Sequence, residues 1–298
     1  MTIVTSFRRL ERMEFFGVLF STGRLWLWGF DFHGEIAASR EMHRHATLAL
    51  QCLDLERLMP VLDAGQLRDG VQVMYKSVLV EEDCDHSRGS IDLFRRSRGI
   101  HEPQVEIAFA EVLRHISPDS TMLELGRYWA FYSIWFARTI RGARCNLFEP
   151  VTANLVLGPR NFHLNGLPPA SVSQRFIGGA PGRTPEGIAV ATVDQLAEEL
   201  GIQHLHLLHA DIQSVERAML EGARLLIAQN RIDYVFVSTH GDDIHASCRE
   251  FLVIHQFDVL LDLLQVACFS IDSILVARRR GVAGPDRITV AHRSASAA

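Results

Sequence analysis

From about residue 116 onward the chain alternates short β-branched or apolar runs with longer stretches of helical period. That alternation restricts it to a layered α/β fold with a mostly parallel sheet built from βαβ units. The apolar runs predict strands over 121–125, 145–149, 171–177, 204–211 and 232–239, the last reading IDYVFVST. Two late runs, 259–264 and 273–277, complete the sheet, the last as an antiparallel hairpin. Between them, helices are expected over 128–140, 152–165 (whole or broken), 193–200 and 215–229, with a Gly/Pro-rich connection over 178–187. Before this core lie about a hundred residues with helical patterns at 48–58 and 64–73 and no detectable repeat. They are expected to form a mainly helical cap that shapes a substrate pocket and excludes water. The division expected is therefore 1–98 cap and substrate region, 99–285 sheet domain, and 286–298 tail.

Charge narrows the partners. With 30 Lys and Arg against 35 Asp and Glu, the net charge of -5 offers no broad cationic surface, and no basic run is interleaved with aromatics. Nucleic acid is not expected as a substrate. The arginine groups 95, 96, 98 and 278–280 read as solvated charge. Five cysteines without a CxxC pair fit a reducing cytoplasm better than a disulfide framework or a zinc ribbon. The apolar stretch 15–30 is flanked by Glu11 and Glu14 and interrupted by Arg24, so a buried or lid-forming segment is expected and no stable membrane insertion. Nothing in the sequence speaks to oligomeric state.

In an open α/β sheet, ligands collect beyond the carboxyl ends of the strands. After the first strand stands ELGRYWAFYS, in which Gly126 can turn tightly and let a ligand approach the backbone. No GxGxxG is present, which opposes a dinucleotide, whose pyrophosphate uses such glycines at a helix N-terminus. About 25 residues on, LFEP puts Glu149 where Rossmann-type proteins hold ribose hydroxyls. The bland alternatives are an N-cap partner or buried ion pair for Glu124 and a solvated loop carboxylate for Glu149. The fourth and fifth strands end in HADIQSVE and VSTHGDDIH, delivering Asp211, Gln213, Glu216, Ser238, Thr239 and His240 to the same edge.

The blocks HEPQVE, TMLELGRYWAFYSIWF, LFEP, NLVLGPRNFHLNG, LLHADIQSVE and VFVSTHGDDIHASC, in this order, resemble the FkbM family of S-adenosylmethionine-dependent methyltransferases. The likeness runs from about residue 99 to 281 and gives no guidance for the first hundred. It implies a Rossmann-like class I methyltransferase fold with a mostly parallel seven-stranded sheet flanked by helices. It also implies S-adenosylmethionine as cofactor, with Glu124, Gly126, Tyr128 and the following helix around the methionine half and Glu149 at the ribose. Asp211 and Gln213 would lie near the reactive methyl, Asp194 near the adenine, and His101 and Glu102 would close over the site. The acceptor implied is a hydroxyl on a sugar, glycolipid or natural-product intermediate, that is, a small-molecule or saccharide partner. Two departures stand out: Arg127 replaces the small residue expected after Gly126, and Ser214 replaces a glycine after DIQ, a change that matters if that turn needs positive φ.

An alcohol acceptor must lose its proton, and an imidazole near its ordinary pKa of about 6.5 suits that task at neutral pH. His240 is the first candidate base, with Asp211 as alternative base or orienting partner, and Thr239 beside them in the acceptor site. The plain alternative for His240 is a strand-end histidine bonded to backbone. His240, His245 and Cys248 with Asp211 would make a four-ligand set, but HxxxxHxxC is not a zinc spacing, and no metal is expected. Two rival readings are a cofactor-binding protein without turnover, motivated by Arg127 and Ser214, and a nicotinamide-dependent oxidoreductase, motivated by the sheet and Glu149.

Overall fold

The computed structural model describes residues 18–21, 24–27, 44–58, 61–84, 88–126 and 129–293. Seven strands form the main sheet: β1 (Thr121–Leu125), β2 (Arg144–Phe148), β3 (Ser171–Ser173), β4 (Leu205–Asp211), β5 (Ile232–Thr239), β6 (Phe257–Leu263) and β7 (Ser273–Arg279). Their order is β6-β7-β5-β4-β1-β2-β3. All neighbouring pairs are parallel except those made by β7, which runs antiparallel to both β5 and β6. This is the seven-stranded, mostly parallel Rossmann-like architecture that the resemblance implies, with the expected late antiparallel hairpin.

The helices are α1 (Arg88–Ser97), α2 (Pro103–Leu113), α3 (Phe131–Thr139), α4 (Leu157–Leu164), α5 (Val193–Glu199), α6 (Glu216–Glu221), α7 (Arg224–Ala228) and α8 (Asp242–Ile254). They cover both sheet faces, so central strands are apolar on both sides and read as continuous hydrophobic runs. Alternation within each strand divides the core. Met122, Tyr234, Phe236, Ile274 and Val276 face a cluster built with α2 and α3, whereas Leu123, Leu125, Val235, Val237, Leu275 and Ala277 face α5 to α8. Each fully buried Leu, Ile or Phe stabilises by roughly 1.5–3 kcal/mol.

Of the described residues before 100, Met74, Tyr75, Val78, Val80, Leu93 and Phe94 belong to the α2/α3 cluster. Residues 44–50 and α1 are helical. The stretch 64–73, expected as helix, instead forms strands Leu67–Arg68 and Val71–Val73, which pair with Leu79–Glu81 in a small antiparallel sheet. The reason is local: Gly65, Asp69 and Gly70 all take positive φ, at 87°, 51° and 76°, which no α-helix accommodates. Two further differences stand beside it. The run 171–177 splits, with Phe176–Ile177 leaving the main sheet to pair with Ala189–Ala191. The expected helix 215–229 breaks into α6 and α7 at Gly222, where a Cβ would stand 2.5 Å from the Gly178 carbonyl oxygen. Among the described residues no helix is long and apolar enough to cross a membrane.

His45 ties the N-terminal segment to the site. Buried, its Nε2–H donates to the His101 carbonyl at 3.0 Å. Burial, reinforced by the nearby His101, lowers its pKa to about 4. Below pH 6.5 the unfolded chain gains a proton that the folded chain refuses, so His45 costs stability as pH falls from about 6.5 towards 4. Between pH 7.5 and 5 this contribution is about 2 kcal/mol. His45→Gln, which keeps a donor for the carbonyl, should show a pH-dependent loss smaller by that amount in urea unfolding. An unchanged pH dependence would mean that the folded protein keeps His45 charged.

Candidate functional site

The chain leaves β1 towards β2 on one side and β4 towards β5 on the other, so the sheet's topological switch point lies between β1 and β4, where open α/β sheets bind ligands. Gly126 follows β1 at φ 73°. Its missing side chain is required: a Cβ there would sit 1.8 Å from the Asp211 carbonyl oxygen at the end of β4. Glu124 is buried, and its Oε2 accepts the Ser133 N–H of α3 at 3.2 Å, tying β1 to its following helix. Glu149, just past β2, is also buried, and its Oε1 accepts the Val151 N–H at 2.9 Å. Tyr128 and Arg127 lie outside the described residues.

At the ends of β4 and β5 the side chains converge. His240 Nδ1–H donates to Glu216 Oε1 at 2.5 Å, while its Nε2 lies 3.5 Å from Asp211 Oδ1, 3.3 Å from Asp272 Oδ1 and 3.1 Å from Gln213 Nε2. Burial alone would lower the His240 pKa, but the hydrogen bond it donates to Glu216 and the charges of Asp211 and Asp272 outweigh it and raise it to about 9. At neutral pH His240 is thus an imidazolium and no free base, and the Gln213 amide then turns its oxygen towards Nε2–H. Asp211 Oδ1 is shut off from solvent with no hydrogen-bond partner, although the side chain as a whole is 38% exposed. Burial, felt through that inner oxygen, pushes its carboxyl up despite His240, and Glu216 adds to the push. The outward oxygen stays open.

A second polar group faces the same edge from α2. His101 Nδ1 lies 2.8 Å from Glu106 Oε1, and the backbone N–H groups of His101 and Glu102 donate to that oxygen at 2.9 and 3.2 Å. Tyr132 donates to Glu102 Oε2 at 2.8 Å. Burial opposes charge on His101, yet Glu106, Glu102 and Asp211 raise its pKa, and burial pushes the Glu102 carboxyl up. Both groups interact electrostatically with Asp211, so the structure brings His101, Glu102, Asp211, Gln213 and His240 into one neighbourhood.

Other residues are committed elsewhere. Thr239 Oγ1 bonds His245 Nδ1 at 2.7 Å, and His245 Nε2 bonds Asp262 at 2.8 Å, so the imagined His240–His245–Cys248 set does not assemble; Cys248 is buried in the opposite core. Asp194 gives both carboxylate oxygens to the N–H groups of Leu225 and Leu226, each at 2.9 Å, capping α7. The turn after DIQ does need positive φ: Ser214 sits at 66°, with its N–H donating to Glu216 Oε1 at 3.0 Å. In the sequence Glu216 stands at this edge with no role marked, and nothing singles out Asp272 or Glu106. Asp272 lies 32 residues beyond His240 on the β6–β7 connection, where no local pattern marks it.

No protein-family model matches the chain, and no curated protein matches it. Among solved structures it is similar to precorrin-6y C5,15-methyltransferase from Geobacter metallireducens GS-15, at 13% identity and TM-score 0.41 over 60% of this chain and 90% of that one. It is also similar to ribosomal protein L11 methylase from Lactobacillus delbrueckii subsp. bulgaricus, at 13% identity and TM-score 0.41 over 61% and 81%. A third is M. capricolum TrmK in complex with S-adenosyl-homocysteine, at 9% identity and TM-score 0.40 over 58% and 68%.

Proposed function

We propose that this chain is an S-adenosylmethionine-dependent methyltransferase of the FkbM type that transfers a methyl group to a hydroxyl on a sugar, glycolipid or natural-product intermediate. The observation that carries the reading is the switch point: a glycine forced by backbone contact, a buried carboxylate past β2 and a polar cluster past β4 and β5 stand together at the carboxyl edge of the sheet, where open α/β folds bind ligands. Bound there, the cofactor supplies an electrophilic methyl on a sulfonium. Gly126 and Glu124 would flank its methionine half, with Tyr128 on the segment that follows, and Glu149 would accept hydrogen bonds from its ribose hydroxyls. Asp194, which caps α7, contributes to the adenine side through the backbone it anchors. The 1–98 segment, with His101 and Glu102, would form the acceptor side, and 286–298 would be a tail.

The acceptor's proton has to leave as the new C–O bond forms. Asp211, its outward oxygen open and its carboxyl pushed up, is the base in this reading, and the charged His240 orients it and favours the developing alkoxide. Holding acceptor and methyl donor in line can recover roughly 7–11 kcal/mol of the barrier, so positioning is expected to dominate the rate.

Calorimetric titration with S-adenosylhomocysteine, beside NAD, tests the reading. Saturable binding of the first alone is expected, weakened at least about tenfold in Glu149→Ala, since each lost hydrogen bond to a charged group is worth about 1.5–3 kcal/mol. Binding of NAD in preference would overturn the methyltransferase in favour of an oxidoreductase.

A further inference from the structure

The methyltransferase reading gives Asp211 and His240 their roles but leaves Asp272 and Glu216 without one, and the way these four groups meet calls for more than a proton. We propose that Asp211, His240 and Asp272 bind one divalent transition-metal ion, supported by Glu216, at the acceptor side of the crevice. This departs from the expectation of no metal and rests on the reading above only for what the ion does.

Geometry comes first. His240 Nε2 is 3.5 Å from Asp211 Oδ1 and 3.3 Å from Asp272 Oδ1, and the three donor atoms all lie within 4.8 Å of one another. Charge-assisted N–H···O bonds draw in to about 2.7–2.9 Å, so neither contact is a tight ion pair. Donors bound to a common ion at about 2.1 Å stand about 3.0–3.4 Å apart along an octahedral or tetrahedral edge, close to the spacing seen here.

The wiring behind the donors agrees. Glu216, fully buried, takes the Nδ1 proton of His240 at 2.5 Å and so directs Nε2 at the two aspartates; a divalent ion would displace the Nε2 proton and take its lone pair, with the carboxylate–histidine support found behind metal-binding imidazoles. Asp211 Oδ1 is cut off from solvent and lacks any hydrogen-bond donor, which is costly for a carboxylate oxygen and is relieved by a cation. Gln213 stands 3.1 Å from Nε2 with an amide oxygen that can add a further oxygen donor. One imidazole with carboxylates favours Mn2+, Fe2+ or Zn2+ over the all-oxygen preference of Ca2+ and Mg2+.

A second grouping, His204, His206 and Asp233, lacks this wiring. There Arg279 occupies Asp233 Oδ1 at 2.9 Å, His204 Nε2 meets Asp233 Oδ2 at 2.9 Å and His206 Nδ1 accepts the Thr121 N–H at 3.1 Å, so several of its ligand atoms already have protein partners. It lies at the opposite, amino end of β4 and serves as a control. At the crevice, an ion would hold the acceptor's hydroxyl and lower its pKa, leaving the outward oxygen of Asp211 to take the proton.

The test is a titration of the chelator-treated full-length protein with Mn2+, followed by electron paramagnetic resonance of the free ion, and repeated with Zn2+ by calorimetry. One Mn2+ per chain is expected, weakened at least tenfold in Asp272→Asn and in His240→Gln and unchanged in Asp233→Asn, with thermal melts confirming that each variant is folded. Failure of both ions to bind the folded wild type overturns the site, as does undiminished binding in both Asp272→Asn and His240→Gln, or a loss confined to Asp233→Asn. S-adenosylhomocysteine is titrated into the same samples. Its binding without metal binding sinks the metal site alone, and metal binding without it sinks the cofactor reading while the ion site stands.

Discussion

Gly126→Ala is expected to cost on the order of 4 kcal/mol of stability and to abolish S-adenosylhomocysteine binding. An alanine Cβ would stand 1.8 Å from the Asp211 carbonyl oxygen and 2.9 Å from its carbonyl carbon, and both are backbone atoms of a central strand that cannot move as a side chain can. A left-handed conformation at φ 73° adds about 1–2 kcal/mol for any residue with a Cβ. Relief requires β1 and β4 to separate at their carboxyl ends, which opens the Gly126–Asp211 contact at the switch point. Chemical denaturation and calorimetry together check this. An alanine variant within about 1 kcal/mol of the wild type that still binds would mean that the loop swings out freely and that Gly126 is no part of a built crevice.

How much of this was legible in the residues depends on the kind of constraint. β1 and β5 match the predicted strands residue for residue, because a parallel strand buried on both faces writes an uninterrupted apolar run bounded by polar turns. The segment 64–73 misleads because its apolar spacing suits a helix, while the positive φ at Gly65, Asp69 and Gly70 is a tertiary choice invisible in the pattern. The crevice was half legible. Gly126, Glu149, Asp211 and His240 announce themselves by standing at strand ends. Glu216 stands at the same edge with no role marked, and Asp272 is not marked at all, since their roles come from distances of 2.5 and 3.3 Å to one imidazole across elements far apart in sequence. The role assigned to His240 changed for the same reason: an imidazole near pKa 6.5 is a base, and one ringed by three carboxylates is a cation.

Glu106 supplies the largest effect expected from a residue outside the strand ends. It is fully buried in α2, and one of its oxygens accepts the N–H groups of His101 and Glu102 and lies 2.8 Å from the His101 ring, whose pKa it raises. Replacing it by leucine keeps the volume but takes from the buried His101 ring the carboxylate that does most to raise its pKa and leaves two backbone donors without an acceptor. Breaking a buried pair by removing one partner typically costs about 3–5 kcal/mol. Glu106→Gln, which retains an acceptor for the N–H groups, should cost only about 1–3 kcal/mol. If, as proposed, His101 and Glu102 lie on the acceptor side, the leucine variant should also lose turnover out of proportion to any loss of S-adenosylhomocysteine binding. Urea unfolding of the two variants, with cofactor-product binding measured on each, separates the effects. Equal stability of Glu106→Leu and wild type would mean that His101 is neutral in the folded protein and that its loop draws its order from the aromatic rings of Trp129 and Phe131 packed against it.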